Sequence, residues 1–235
     1  MTGASAAIEE LRRAVSLGCR VLAREGHGDL VWGHVSSRDP DGRGVWIKRA
    51  GLGFEEVAPG DVHLVTPSGE VTHGEGRRHA EYPIHTEAIA ARDDVRAVVH
   101  THAPHAVAFG ALETPLVPLS HEGTLFVPPD IARFTHTGDL ILTTELGREL
   151  AIALGPRNAV LLRNHGIVTV GPDVATAVMT AVLLERACRT QLAAMAAGTI
   201  SRWSDDDEAL AKRDRCYAPA QLEMAWSYLV RALGS

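Results

Sequence analysis

The sequence predicts an α/β fold in which one sheet is covered by helices. Three observations point to it. Short apolar runs of strand character occur throughout, segments of helical periodicity are interleaved with them, and no repeat or long linker divides the 235 residues. A chain of that length can bury one substantial core, so 1–235 is read as a single domain.

The elements follow in order. Ile8, Leu11, Val15 and Leu22 suit an amphipathic helix from about Ile8 to Arg24, ended by Gly26-His27-Gly28. Val31 to Arg38 and Gly44 to Lys48 read as strands around the turn Asp39-Pro40-Asp41-Gly42, and Val62 to Thr66 as a third, closed by Pro67-Ser68-Gly69. A helix is expected from about Glu81 to Arg92, a strand over Ala97 to Thr101, and a helix over Ala103 to Leu112. Glu113 to Asp139, rich in Pro, Gly and Thr, has no assignable pattern. Thr144 to Leu154 is helical, and Ala159 to Arg163 and Ile167 to Val170 are strand-like. Asp173, after Gly171-Pro172, is a fitting N-cap for a helix reaching about Ala197. Ser201 to Asp207 breaks the pattern before a helical tail over Glu208 to Leu233.

Composition excludes several function classes. The 23 basic and 29 acidic side chains give −6, which argues against nucleic acid as a general partner. No apolar run approaches a membrane span, and the N-terminus lacks a basic-then-apolar leader. Cys19, Cys188 and Cys216 form no CxxC pair, so they are expected to be packing residues in a reduced, cytoplasmic protein. Gly51-Leu52-Gly53 is only a fragment of a dinucleotide fingerprint, with Glu56 where the third glycine belongs, and no Walker A sequence occurs.

The 12 histidines are the feature that composition leaves unexplained. His100 and His102 stand two apart at the end of an apolar strand, where a period of two puts both imidazoles on one face. A solvated strand end would explain that pair alone. His165 adds more, because it interrupts the buried run Leu-Leu-Arg-Asn-His-Gly-Ile-Val and must find a partner there. Gly166 beside it would admit a close approach by ligand or backbone. Three neutral imidazoles leave coordination positions open, as in a catalytic metal site. Glu81 lies in Arg78-His79-Ala80-Glu81-Tyr82-Pro83-Ile84-His85 at a helix start, where a favourable helix dipole would also account for it. His85, one turn on, reads as a packing or supporting residue rather than a fourth ligand.

These segments together resemble the class II aldolase/adducin family. The resemblance is carried by Gly33-His34-Val35-Ser36-Ser37-Arg38, Glu81 through His85, Ala97-Val98-Val99-His100-Thr101-His102 and Leu162-Arg163-Asn164-His165-Gly166, and it spans roughly Leu11 to Ala197. It implies a three-layer α/β/α sandwich around a largely antiparallel sheet. It also implies a homotetramer or other homo-oligomer with sites near subunit interfaces, metal ligands His100, His102 and His165, and Glu81 as the acid/base or auxiliary carboxylate. Zinc suits imidazole ligands, and manganese, iron or cobalt are compatible with them.

The departures from the family pattern bear on substrate. Sugar-phosphate members cradle phosphate with an Asn in Gly-Asn-x-Ser, a Thr-Gly pair and a Ser-Ser pair before the glutamate. Here His34 replaces the Asn, Ala50 precedes Gly51 in place of the Thr, and His79-Ala80 replaces the serines. A phosphate dianion needs several short donors, so this pocket is expected to take a substrate without phosphate. Substrate contacts are assigned to His34, His79, Arg49 and Gly51, with Lys48 and Arg78 as further carboxylate partners. A solvated basic surface would equally account for Lys48, Arg49, Arg77 and Arg78. His121 is a loop histidine with a possible place in the pocket.

The altered pocket resembles the family's decarboxylase branch, which acts on hydroxylated aromatic acids such as dihydroxyphthalates. The expected chemistry is metal-dependent carbon–carbon cleavage: carbon dioxide leaves, the metal stabilises the resulting enolate, and Glu81 or a histidine returns a proton to carbon. The alternatives are an aldolase acting on a non-phosphorylated hydroxy-keto acid, a sugar-phosphate aldolase or epimerase, and a non-catalytic adducin-like module.

Overall fold

The computed structural model describes residues 3–234, and side chains from residue 6. Eight strands form one sheet: β1 (His34–Arg38), β2 (Val45–Lys48), β3 (Val62–Val65), β4 (Val71–His73), β5 (Ala97–Thr101), β6 (Ala132–Phe134), β7 (Ala159–Leu162) and β8 (Ile167–Gly171). Their order is β4-β3-β2-β1-β5-β8-β7-β6, and every pairing is antiparallel except β6 with β7. Among the described residues there are seven α-helices: α1 (Gly3–Leu22), α2 (Tyr82–Ala91), α3 (Pro104–Gly110), α4 (Thr144–Leu154), α5 (Val174–Ala197), α6 (Asp206–Cys216) and α7 (Pro219–Ala232).

Alternation along the strands sends side chains to two cores. On one face Val35, Trp46, Leu64, Val99 and Leu161 pack with Val15 and Leu22 of α1 and with Val178 and Leu184 of α5. On the other, Ile47, Val98, Val160 and Val168 pack with Ile84 and Ala88 of α2 and Leu150 and Leu154 of α4. The sheet is therefore the middle layer of an α/β/α sandwich, as the family resemblance implied.

Several boundaries differ from the sequence-based expectation. The first helix starts at Gly3 and gives way after Leu22 to a wide helical turn, Ala23–His27. The strand expected from Val31 begins only at His34, because Leu30 (φ 48°) and Gly33 (φ 60°) turn the backbone out of the extended region. β4 and β6, three residues each, were not anticipated; β6 lies within the stretch that carries no pattern. The tail is two helices rather than one. α6 ends at Cys216 and Pro219 opens α7, since proline fits a first turn but cannot continue the preceding helix. Asp173 caps α5 as expected, its carboxylate accepting from the Thr176 N–H at 2.7 Å.

The sheet register positions the site. His34 of β1 sits opposite His100 of β5, and His100 opposite Val168 of β8. Period two places His34, Ser36 and His100 on the face beneath α2, whose N-cap is Glu81.

Candidate metal centre and its cleft

Each of the three predicted ligands is set by a different backbone device. His100 is the fourth residue of β5 and fully buried. Its Nδ1–H donates to the Ile167 carbonyl at 3.0 Å. His102 lies just past the strand end, and its Nδ1–H donates to the Asp29 carboxylate at 2.6 Å. His165 lies in the tight connection between β7 and β8, beside Asn164 with φ 55°. A Cβ on Gly166 would come within 2.5 Å of the Thr101 carbonyl oxygen and 2.8 Å of the His102 ring, so only glycine allows the connection to close over the histidine pair.

The residues present fit a metal ion. With Nδ1 of His100 and His102 both donating, each neutral ring presents a bare lone pair at Nε2, and these two atoms are 3.1 Å apart. Two lone pairs cannot bond to one another; a cation between them removes the conflict. Among the described residues, neither ring nitrogen of His165 has a hydrogen-bond partner, although both atoms are buried. The ligand atoms of the three rings lie within 4.8 Å of one another. Tetrahedral zinc with metal–nitrogen bonds of about 2.05 Å needs neighbouring nitrogens about 3.3 Å apart. The carbonyl and the carboxylate behind His100 and His102 are the kind of support that fixes a ligating tautomer.

Glu81 faces the same cluster. As N-cap of α2 its side chain makes no capping hydrogen bond. Instead Oε1 accepts from the Ile141 N–H at 2.8 Å and lies 3.6 Å from His165 Nε2, while Oε2 lies 3.8 Å from His100 Nε2 and 3.9 Å from His34 Nε2. Burial raises its carboxyl above the ordinary range, opposed by the Ile141 hydrogen bond and by His102. A carboxyl set beside three imidazoles at the floor of a cleft is placed to exchange a proton with a bound molecule.

The cluster opens into a cleft of about 590 Å³. Asp29, Trp32, Gly33, His34, His79, Glu81, His102, Pro104, Val107, Leu140, Asn164 and His165 line it. Among the described residues, no serine or threonine does so. Trp32 and Leu140 are half-exposed at its mouth and, with Pro104 and Val107, form an apolar wall.

The other predicted contacts divide. His34 and His79 line the cleft. His79 Nε2 accepts from the Lys48 ammonium at 3.2 Å. Burial, with Lys48 beside it, pushes His79 down to about 3, so this ring is neutral. Lys48 is not a solvated surface residue. It is 0% exposed, also donates to the Val31 carbonyl at 3.1 Å, and is pushed down to about 8 by burial. Arg49 is held by Asp61 at 2.8 Å and Gly51 is exposed; neither lines the cleft. Arg78 is tied to the Gly69 carbonyl at 2.6 Å and stacks on Tyr82. His121 lies on a loop against Cys216 Sγ at 3.3 Å, away from the cleft. His85 does not line the cleft; its Nε2 stands 2.6 Å from His34 Nδ1.

Sequence reasoning missed Asp29, Trp32, Leu140 and the Ile141 amide. Each reaches the site from a segment without a motif, and only the chain's path brings it there.

Comparisons with known proteins agree with this architecture. The family model described as "Class II Aldolase and Adducin N-terminal domain" matches residues 13–192. The chain is 33% identical over 210 residues to 3,4-dihydroxyphthalate decarboxylase of Rhodococcus jostii, covering 81% of this chain and 83% of that protein. It is 35% identical over 193 residues to decarboxylase NovR of Streptomyces niveus, covering 80% and 70%. Among solved structures, L-fuculose 1-phosphate aldolase from Glaciozyma antarctica superposes with a TM-score of 0.86 at 29% identity, covering 99% of this chain and 92% of that one. A match of that extent, on a sheet that assembles these histidines, makes the chain a member of the class II aldolase and adducin family.

Proposed function

We propose that this protein is a metal-dependent carbon–carbon lyase that decarboxylates a hydroxylated aromatic acid. The observation that carries the reading is the cleft wall. The imidazole cluster and Glu81 open onto Trp32, Pro104, Val107 and Leu140, and among the described residues no hydroxyl side chain lines the space. A ring buries favourably against such a wall, whereas a phosphate dianion would lack the hydroxyl donors that usually help to cradle it. The decarboxylase names of the relatives from Rhodococcus jostii and Streptomyces niveus support the same reading.

A divalent ion on His100, His102 and His165 supplies Lewis-acid stabilisation of the negative charge that develops next to the broken bond. The protein's own residues do the rest. The apolar wall orients the ring and excludes water. Once the ring carbon that bears the carboxylate is protonated, its bond to the carboxylate breaks, carbon dioxide departs, and the electron pair returns to the ring π system and its ortho oxygen. Glu81 delivers its proton to the carbon and regains one from solvent, so the balance is carboxylate plus proton giving arene plus carbon dioxide.

One observation favours a second reading: the superposition on L-fuculose 1-phosphate aldolase extends over 99% of the chain. The same centre could cleave a non-phosphorylated hydroxy-keto acid to an aldehyde. The test incubates zinc- or manganese-loaded protein with ortho-hydroxylated aromatic acids, hydroxy-keto acids and sugar phosphates, measuring carbon dioxide and aldehyde. The expected result is stoichiometric carbon dioxide from an aromatic acid. Aldehyde release without carbon dioxide would establish the aldolase instead.

A further inference from the structure

A line of buried polar groups runs behind the cleft, and only its front end belongs to the site described above. Ser36 Oγ lies 2.6 Å from His85 Nδ1, and His85 Nε2 lies 2.6 Å from His34 Nδ1. Ser36 and His85 are 0% exposed and His34 is 1% exposed. At the front, His34 Nε2 is 3.9 Å from Glu81 Oε2, beyond hydrogen-bond reach, and the ring lines the cleft.

The protons along this line have a direction. A neutral imidazole has one N–H and one lone pair. Complete burial holds His85 neutral, pushed down to about 3. Its single proton therefore points either to Ser36 or to His34. If it points to Ser36, the serine oxygen becomes the acceptor and its own proton needs a second partner. Among the described residues, the Ser36 side chain has no partner other than His85. A buried hydroxyl proton left unpaired is the costlier arrangement. The proton therefore runs the other way: Ser36 donates to His85 Nδ1, and His85 Nε2–H donates to His34 Nδ1. His34 must then carry its own proton on Nε2, facing the cleft.

We propose that Ser36 and His85 are positioning residues that hold His34 as an Nε2–H donor aimed at a substrate oxygen. Two consequences follow. The Nε2 atom of His34 has no free lone pair, so His34 is not a metal ligand, even though it clusters with Glu81 and His100. The residue replacing the phosphate-cradle asparagine thus keeps a donor's role, but as a single N–H suited to a carboxylate or a developing oxyanion. The identity of that oxygen rests on the lyase reading; the tautomer does not.

The test is a two-bond ¹H–¹⁵N correlation spectrum of metal-free, ¹⁵N-histidine-labelled protein, with the His34 signals assigned through His34→Gln. The expected spectrum shows His34 in the Nε2–H form. An Nδ1–H His34 in the wild-type protein would overturn the inference. Ser36→Ala should give a mixture of tautomers and lower kcat at least tenfold with little change in KM, and Ser36→Thr should restore both. An Ala variant with the wild-type tautomer and kcat would remove Ser36 from the role. An Nε2–H His34 in a protein that releases no carbon dioxide would leave this hydrogen-bond line standing and sink only the decarboxylase reading.

Discussion

At the residue scale, the two strand-end histidines illustrate how the proposed ligands are positioned. His100 is held by a carbonyl that the β5–β8 register supplies automatically, whereas His102 depends on one side chain, Asp29, from the loop before β1. Asp29→Ala should therefore lower zinc affinity about 10–100-fold without unfolding the protein, measured by competition with a chelating dye. Unchanged affinity would show that the Asp29 contact is incidental. Glu81→Gln retains the shape and the Ile141 contact but cannot supply a proton. It should keep its metal and lose about 10²–10⁴-fold in turnover. A fully active Gln variant would contradict the role given to Glu81. The ligands were legible in the sequence because HxH and a histidine inside an apolar run are unusual patterns. Asp29 was not, because it stands 73 positions from the ring it holds. The burial of Lys48 was also hidden, since nothing local distinguishes a lysine behind a pocket from one on a surface.

At the element scale, the connection between β7 and β8 carries the third proposed ligand and depends on the missing side chain of Gly166. Gly166→Ala would drive a methyl into the Thr101 carbonyl, and the strand end and the connection would have to part. This variant should lose zinc affinity and melt at a lower temperature. Gly28→Ala, where a Cβ meets nothing within 4 Å, should match the wild type in both measurements. Equal behaviour of the two variants would rule out the packing argument. Elements with long periodicity or a cap, such as α5 after Asp173, were legible from their residues. β4 and β6 were not, because three residues give no alternation to read. The late start of β1 was hidden for another reason: Val31 and Trp32 favour a strand, but Leu30 and Gly33 adopt left-handed conformations that bring Trp32 to the cleft.

At the scale of the whole molecule, the buried histidines make folding depend on pH. Burial pushes His27 down to about 4, and His79 and His85 down to about 3. The unfolded chain takes up their protons near pH 6.5, while the folded protein does not until well below that. Their neutral forms are thus accommodated fully above about pH 6.5, and stability falls as pH drops through the window below it. Each contributes a loss on the order of 2 kcal/mol between pH 7 and pH 5. The raised carboxyl of Glu81 acts in the opposite sense, its contribution fading as pH rises, but one group opposes three. Urea unfolding of metal-free protein should show a clearly lower midpoint at pH 5 than at pH 7. Equal midpoints would mean that these rings are not held neutral.

The account as a whole stands on His100, His102 and His165 sharing one ion. The most direct test is the zinc content of exhaustively dialysed protein, measured by inductively coupled plasma mass spectrometry, for the wild type and for His100→Ala. The expected result is close to one ion per wild-type chain and almost none in a variant that keeps its circular dichroism spectrum. A wild type that binds no divalent metal, or a folded His100→Ala that binds as much, would contradict it.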